Sequence, residues 1–122
     1  MGQEAIKLLV CDDSILARKS MTAMLNSFGY EDVTEVSNGE DAVNKYKEIR
    51  PNIVFLDIVM PIKDGITATK EIIEFDPDAK IVVISSVGTQ THLREVIKAG
   101  AKDFIQKPVD QDLLKQVLEH NL

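Results

Sequence analysis

The sequence has no tryptophan, a single cysteine at Cys11, and aromatic residues at only 5% of its positions. A lone thiol excludes an internal disulfide and any metal cluster built on several thiolates, and it suits a reducing cytoplasm, the expected location. With so few rings there are few platforms for stacking unpaired bases, so single-strand nucleic-acid binding is not expected. Positive charge is also short. Fourteen basic against 20 acidic side chains leave a net charge of −6, whose field repels DNA and anionic membranes alike. No apolar run approaches the roughly 20 residues that a spanning helix needs. The amino terminus, MGQEAIK, lacks a basic region followed by a long apolar stretch, and Ile6 stands where a myristoylation signal wants Ser or Thr. Neither export nor a lipid anchor is expected.

The 122 residues fit one domain, 1–122, large enough to bury a continuous core. Short apolar runs recur at residues 7–11, 33–36, 53–56, 81–84 and 104–105, rich in Val and Ile or bounded by turn formers, and read as five strands. Between them lie stripes at helical spacing: Ala17, Met21, Met24, Leu25 and Phe28, then Ala42, Val43, Tyr46 and Ile49. Ile66, Thr69, Ile72 and Ile73 make a third, Leu93, Val96 and Ile97 a fourth, and Leu113, Leu114, Val117 and Leu118 a fifth. All five are expected to face the core. Gly29, Pro51, Pro77 and Gly100 fall where those helices should stop, and Asp110 is placed to cap the last one. Strict alternation with short connections predicts an α/β fold, a parallel sheet covered by helices on both faces.

In such sheets ligands gather at the carboxyl ends of the strands, so the residues just after each apolar run carry the information. The first strand ends in Asp12 and Asp13, the third in Asp57, the fourth in Ser85 and Ser86, and the fifth in Lys107 and Pro108. Singly these could be bland: Asp12, Asp13 and Ser14 could cap a helix, and Ser37 and Asn38 after the second strand look like turn formers. Together they point to chemistry. Three converging carboxylates repel one another unless a cation sits among them, and hard oxygen ligands suit Mg2+, which also binds phosphate oxygens. Lys107 and Ser85, on the far side of Asp57 from that cation, would supply an ammonium and a hydroxyl to an anion beside the carboxylate. Asp57 is therefore a candidate nucleophile for phosphoryl transfer, forming an aspartyl phosphate.

CDDS at 11–14, FLDIVMPIKDG at 55–65, ISS at 84–86 and GAKDFIQKP at 100–108 resemble, jointly and over nearly the whole chain, the receiver domains of two-component response regulators, and among them the single-domain chemotaxis type. The resemblance implies a flavodoxin-like, doubly wound sheet of five strands in the order 2-1-3-4-5 with five helices. It implies that Asp57 is the phosphoacceptor, that Asp12, Asp13 and the Val59 backbone carbonyl join Asp57 around Mg2+, and that Ser85 and Lys107 sense the phosphate. It further implies that Phe104 is the switch aromatic and that the bond preceding Pro108 is cis. Implied partners are a histidine kinase as phosphodonor, a protein output target such as the flagellar motor switch, and a phosphatase. The face made by the fourth helix, fifth strand and fifth helix would carry the output.

Some positions depart from the common pattern or favour one reading. Val59 and Val87 are apolar where many receivers place polar residues able to orient water, so slow loss of the phosphoryl group is expected. Ser86 is small, which keeps the site open. Lys102 differs from the acidic pair that often precedes the switch aromatic in dimeric transcription factors, and the sequence stops after the fifth helical stripe, so a monomer acting through a protein partner is expected. A phosphorelay intermediate and a receiver excised from a larger transcriptional regulator are the alternatives. A haloacid dehalogenase-like phosphatase would need an Asp at the position of Val59. A flavodoxin would find its flavin phosphate repelled by Asp12 and Asp13. The protein is thus expected to catalyse only its own modification rather than turn over an external substrate. His92 and His120 are expected at the surface.

Overall fold

The structure, a computed structural model, describes residues 6–86 and 90–122, with side chains in the second segment described from residue 92 onward. Val87 lies outside the described residues. Five strands, β1 (Lys7–Cys11), β2 (Asp32–Val36), β3 (Ile53–Asp57), β4 (Ile81–Ser85) and β5 (Asp103–Gln106), form one parallel sheet in the order β2-β1-β3-β4-β5. The helices are α1 (Ile15–Ser27), α2 (Gly39–Ile49), α3 (Gly65–Phe75), α4 (Gln90–Ala99) and α5 (Gln111–Asn121). This is the expected doubly wound, flavodoxin-like architecture. No helix among the described residues is long and apolar enough to cross a membrane.

Side chains of a strand alternate between faces, so each central strand feeds two cores. Leu9, Cys11, Val54, Leu56, Ile81 and Val83 pack with residues of α2, α3 and α4, including Val43, Ala68, Ile72 and Val96. Leu8, Val10, Phe55, Val82, Ile84 and Ile105 pack with Met21 and Leu25 of α1 and Leu114, Val117 and Leu118 of α5. Both faces of β3 and β4 are buried throughout, which is why those segments read as unbroken apolar runs.

Local chemistry sets the helix ends. Ser14 Oγ accepts from Ala17 N at 3.2 Å, Asn38 Oδ1 from Asp41 N at 2.8 Å, Asp64 Oδ1 from Thr67 N at 2.8 Å and Asp110 Oδ2 from Leu113 N at 2.9 Å, each satisfying an N–H that the helix cannot. Asp110 caps as expected. At the other ends, Gly29 and Gly100 take φ values of +99° and +119°, where a side chain would be strained. The Lys107–Pro108 peptide is cis.

Two expectations need correction. Ile97 and Leu113 were expected in core stripes, yet they are 44% and 41% exposed. Val96 occupies the inward line of α4, and Leu114, Val117 and Leu118 that of α5; Ile97 and Leu113 sit about 100° round the helix from Val96 and Leu114, on the side away from the core, and fall at the rim. His92 and His120 are exposed, as expected.

Candidate functional site

Register brings the chemistry to one edge. Cys11 pairs with Leu56, Asp57 with Ile84, and Ser85 with Gln106, so the residues that follow β1, close β3 and β4, and follow β5 meet at the carboxyl end of the sheet. Asp12 and Asp57 are buried there and Asp13 is exposed.

The turn after β1 is braced from several sides. Asp12 N donates to Val36 O at 3.2 Å, and Asp12 Oδ1 accepts from Ser14 N at 2.9 Å. Arg18 Nη1 donates to the Asp12 carbonyl at 2.8 Å, while Arg18 Nε donates to Glu35 Oε1 at 3.3 Å. Glu35 also receives Lys19 Nζ at 3.2 Å and Thr22 Oγ1 at 2.8 Å. Burial pushes the Glu35 carboxyl up, but these three donors together hold it below the usual carboxylate range. Sequence reasoning missed this brace, because its partners lie on different elements and no local pattern joins them.

Lys107 Nζ reaches Asp12 Oδ2 at 2.9 Å and Asp57 Oδ2 at 3.1 Å. The ammonium therefore bridges both buried carboxylates. Two buried anions side by side need a counter-charge, and the flexible lysine stem supplies one. Burial and the adjacent Asp12 push the Asp57 carboxyl upward, with Lys107 pulling it back. Burial disfavours the charged Lys107, yet its hydrogen bonds to Asp12 and Asp57 outweigh that and raise it. Ser85, buried at the end of β4, accepts Lys107 N on its carbonyl at 2.7 Å, which ties the hydroxyl residue to the lysine segment.

One carboxylate oxygen from each of Asp12, Asp13 and Asp57 lies within 4.8 Å of the others. A hard cation holding oxygen ligands at about 2.1 Å can draw such a set together with modest side-chain movement, and it would relieve the Asp12 repulsion that adds to burial in raising Asp57. The donor set fits Mg2+. Val59, two residues beyond Asp57, is 64% exposed on the loop after β3, and Phe104 is 37% exposed on β5. Cys11, adjacent to this cluster, is buried: burial first, then Asp12 and Asp57, push its thiol above the ordinary range, and its Sγ lies 3.2 Å from both Asn38 O and Met60 Sδ.

Residues 8–119 match the response regulator receiver domain family. The chain is 46% identical to the chemotaxis protein CheY of Thermotoga maritima over 112 residues, covering 92% of this chain and 93% of that one. It is 42% identical to CheY of Bacillus subtilis over 118 residues, covering 97% and 98% respectively. Among solved structures, a chain of the CheX–CheY–BeF3–Mg2+ complex from Borrelia burgdorferi superposes with a TM-score of 0.87 at 36% identity, over 94% of this chain and 87% of that one. The receiver domain of NtrX from Brucella abortus gives a TM-score of 0.89 at 31% identity, over 95% and 98%.

Proposed function

The chain belongs to the response regulator receiver family, and from that premise we propose that it is a phosphorylation-activated signalling switch in which Asp57 accepts a phosphoryl group from a histidine kinase. The observation that carries this reading is the buried Asp57 carboxylate, 3.1 Å from Lys107 Nζ and grouped with Asp12 and Asp13. Asp12, Asp13, Asp57 and the Val59 carbonyl would hold Mg2+, which when bound offsets charge on the transferred phosphoryl oxygens.

The chain's own groups do the rest. An Asp57 oxygen attacks phosphorus as the P–N bond to the donor imidazole breaks, and the imidazole nitrogen keeps the bonding pair. Lys107 must then exchange a carboxylate contact for the new phosphoryl oxygens, and Ser85, linked to it through the backbone, donates its hydroxyl. That rearrangement at the ends of β4 and β5 reaches Phe104 and the outer faces of α4 and α5, where Ile97 and Leu113 are also exposed. Moving a population from 1:99 to 99:1 takes about 5.5 kcal/mol of differential stabilisation, within reach of several charge-assisted bonds.

The names of the relatives favour chemotaxis, with a protein target such as the flagellar motor switch as output. The complex of the Borrelia relative with CheX supports a further partner that acts on the phosphorylated form, such as a phosphatase. On this reading the protein is not an enzyme in the turnover sense: it catalyses its own phosphorylation and its slow reversal. Intact mass after incubation with acetyl phosphate and Mg2+ tests it. One phosphoryl adduct that disappears in Asp57→Ala and without metal is expected; no adduct on folded, metal-supplied protein would reduce Asp57 to a structural turn residue.

A further inference from the structure

The loop that follows β3, residues 58–64, is fixed at three points. Gly65 N donates to Ile58 O at 2.7 Å and closes the loop on itself. Lys63 N donates to Pro61 O at 2.7 Å across the single residue Ile62, whose φ is +69°. A bond from one residue to the second before it, across a positive φ, makes a γ-turn of the strained kind, and a branched Cβ aggravates it. Ile62 is 77% exposed, so its side chain gains little burial in return. Strain of this sort persists only where the surroundings over-determine it.

The third point supplies that restraint. Gly39 N donates to Lys63 O at 3.0 Å. Gly39 opens α2, and the first N–H groups of a helix have no partner inside it, so this donor is free to reach outward. The helix end is itself moored: the Asn38 side chain caps it, and the Asn38 carbonyl accepts from Cys11 Sγ at 3.2 Å. Gly39 has no positive φ, so its glycine serves space rather than conformation. A Cβ there would overlap the Lys63 carbonyl oxygen and lie 2.7 Å from the carbonyl carbon, both backbone atoms with nowhere to swing.

We propose that Gly39 is a positioning residue for the acidic site: by gripping the Lys63 carbonyl it holds the strained turn, and with it the Val59 backbone, available to a divalent cation. This rests on the reading that the Val59 carbonyl joins the metal site. Calorimetric titration of the full chain with Mg2+, for wild type and Gly39→Ala, accompanied by metal-free thermal melts, tests it. Gly39→Ala is expected to remain folded and to bind Mg2+ about 10- to 100-fold more weakly, the range for residues that orient ligands. A lower melting temperature with unchanged affinity would mean a glycine that only packs, and would overturn the proposal. Should the variant fail to fold, amide hydrogen exchange on the wild type decides: coupling is reciprocal, so Mg2+ must raise protection of the Gly39 N–H, and unaltered protection overturns the inference. Wild type that takes up no Mg2+ would overturn the metal assignment as well, whereas equal affinities sink this inference alone.

Discussion

Burial and the neighbouring Asp12 carboxylate push the Asp57 carboxyl above its ordinary range, with Lys107 opposing them. A folded state that raises an acid's pKa binds the proton more tightly than the unfolded chain does, so ionised Asp57 costs stability once the pH exceeds the unfolded value. Asp57→Asn should therefore stabilise the protein at neutral pH, by about 1–2 kcal/mol, and the gain should shrink as the pH falls through the carboxylate range. Urea melts of both proteins across that range would show it; a variant less stable at neutral pH would contradict the electrostatic account. Lys107→Ala should act in the opposite sense and lose about 1–3 kcal/mol, since it leaves two buried carboxylates without their shared ammonium. Val59 is apolar and lies two residues beyond Asp57. An amide there could orient water toward the acyl phosphate, so Val59→Asn should shorten the lifetime of phosphorylated protein about tenfold or more, read as decay of the mass adduct. Loss from the wild type within seconds would contradict the expected slow hydrolysis.

At the level of elements, the brace between α1 and β2 sets a second pH dependence. Glu35 is held below the usual carboxylate range by Thr22, Lys19 and Arg18 against the pull of burial. A depressed pKa contributes stability that is complete above the unfolded value and is lost as the pH falls through the folded one. Glu35→Gln should cost about 0.5–1 kcal/mol at neutral pH, and its stability should converge with that of the wild type in acid. Denaturation at a few pH values checks the convergence. That brace also marks the limit of what the sequence discloses. Strands were legible because β3 and β4 are buried on both faces, which forces unbroken runs, and Asp12, Asp57, Ser85 and Lys107 stood out because each directly ends or follows a strand. Arg18 gave no signal, since its value lies in a carbonyl six residues back and a carboxylate on another strand. Ile97 and Leu113 were misread because a stripe at helical spacing does not distinguish its centre from its rim.

For the molecule as a whole, a ligand that binds only the folded state raises its stability by mass action. Mg2+ at about 100 times its dissociation constant should contribute about 2.7 kcal/mol, which a domain of this size registers as a rise of roughly 10 °C in Tm. Asp13→Asn, which removes an exposed ligand without unpairing Lys107, should abolish most of that rise while leaving the metal-free Tm nearly unchanged. Scanning calorimetry with and without Mg2+ separates the two effects.

The double contact of Lys107 has a further consequence, visible on counting formal charges at the site. Three carboxylates and one ammonium sum to −2, which a divalent cation brings to zero. Phosphorylation of Asp57, as proposed, would replace one carboxylate charge with about −1.5 to −2 and tip the neutral centre negative again. With Mg2+ bound the site would be an electroneutral baseline, and on the proposed reading the signal would be a departure from it of about half to one charge unit. On the proposed reading, a partner would need to sense no more than which oxygens Lys107 then pairs with.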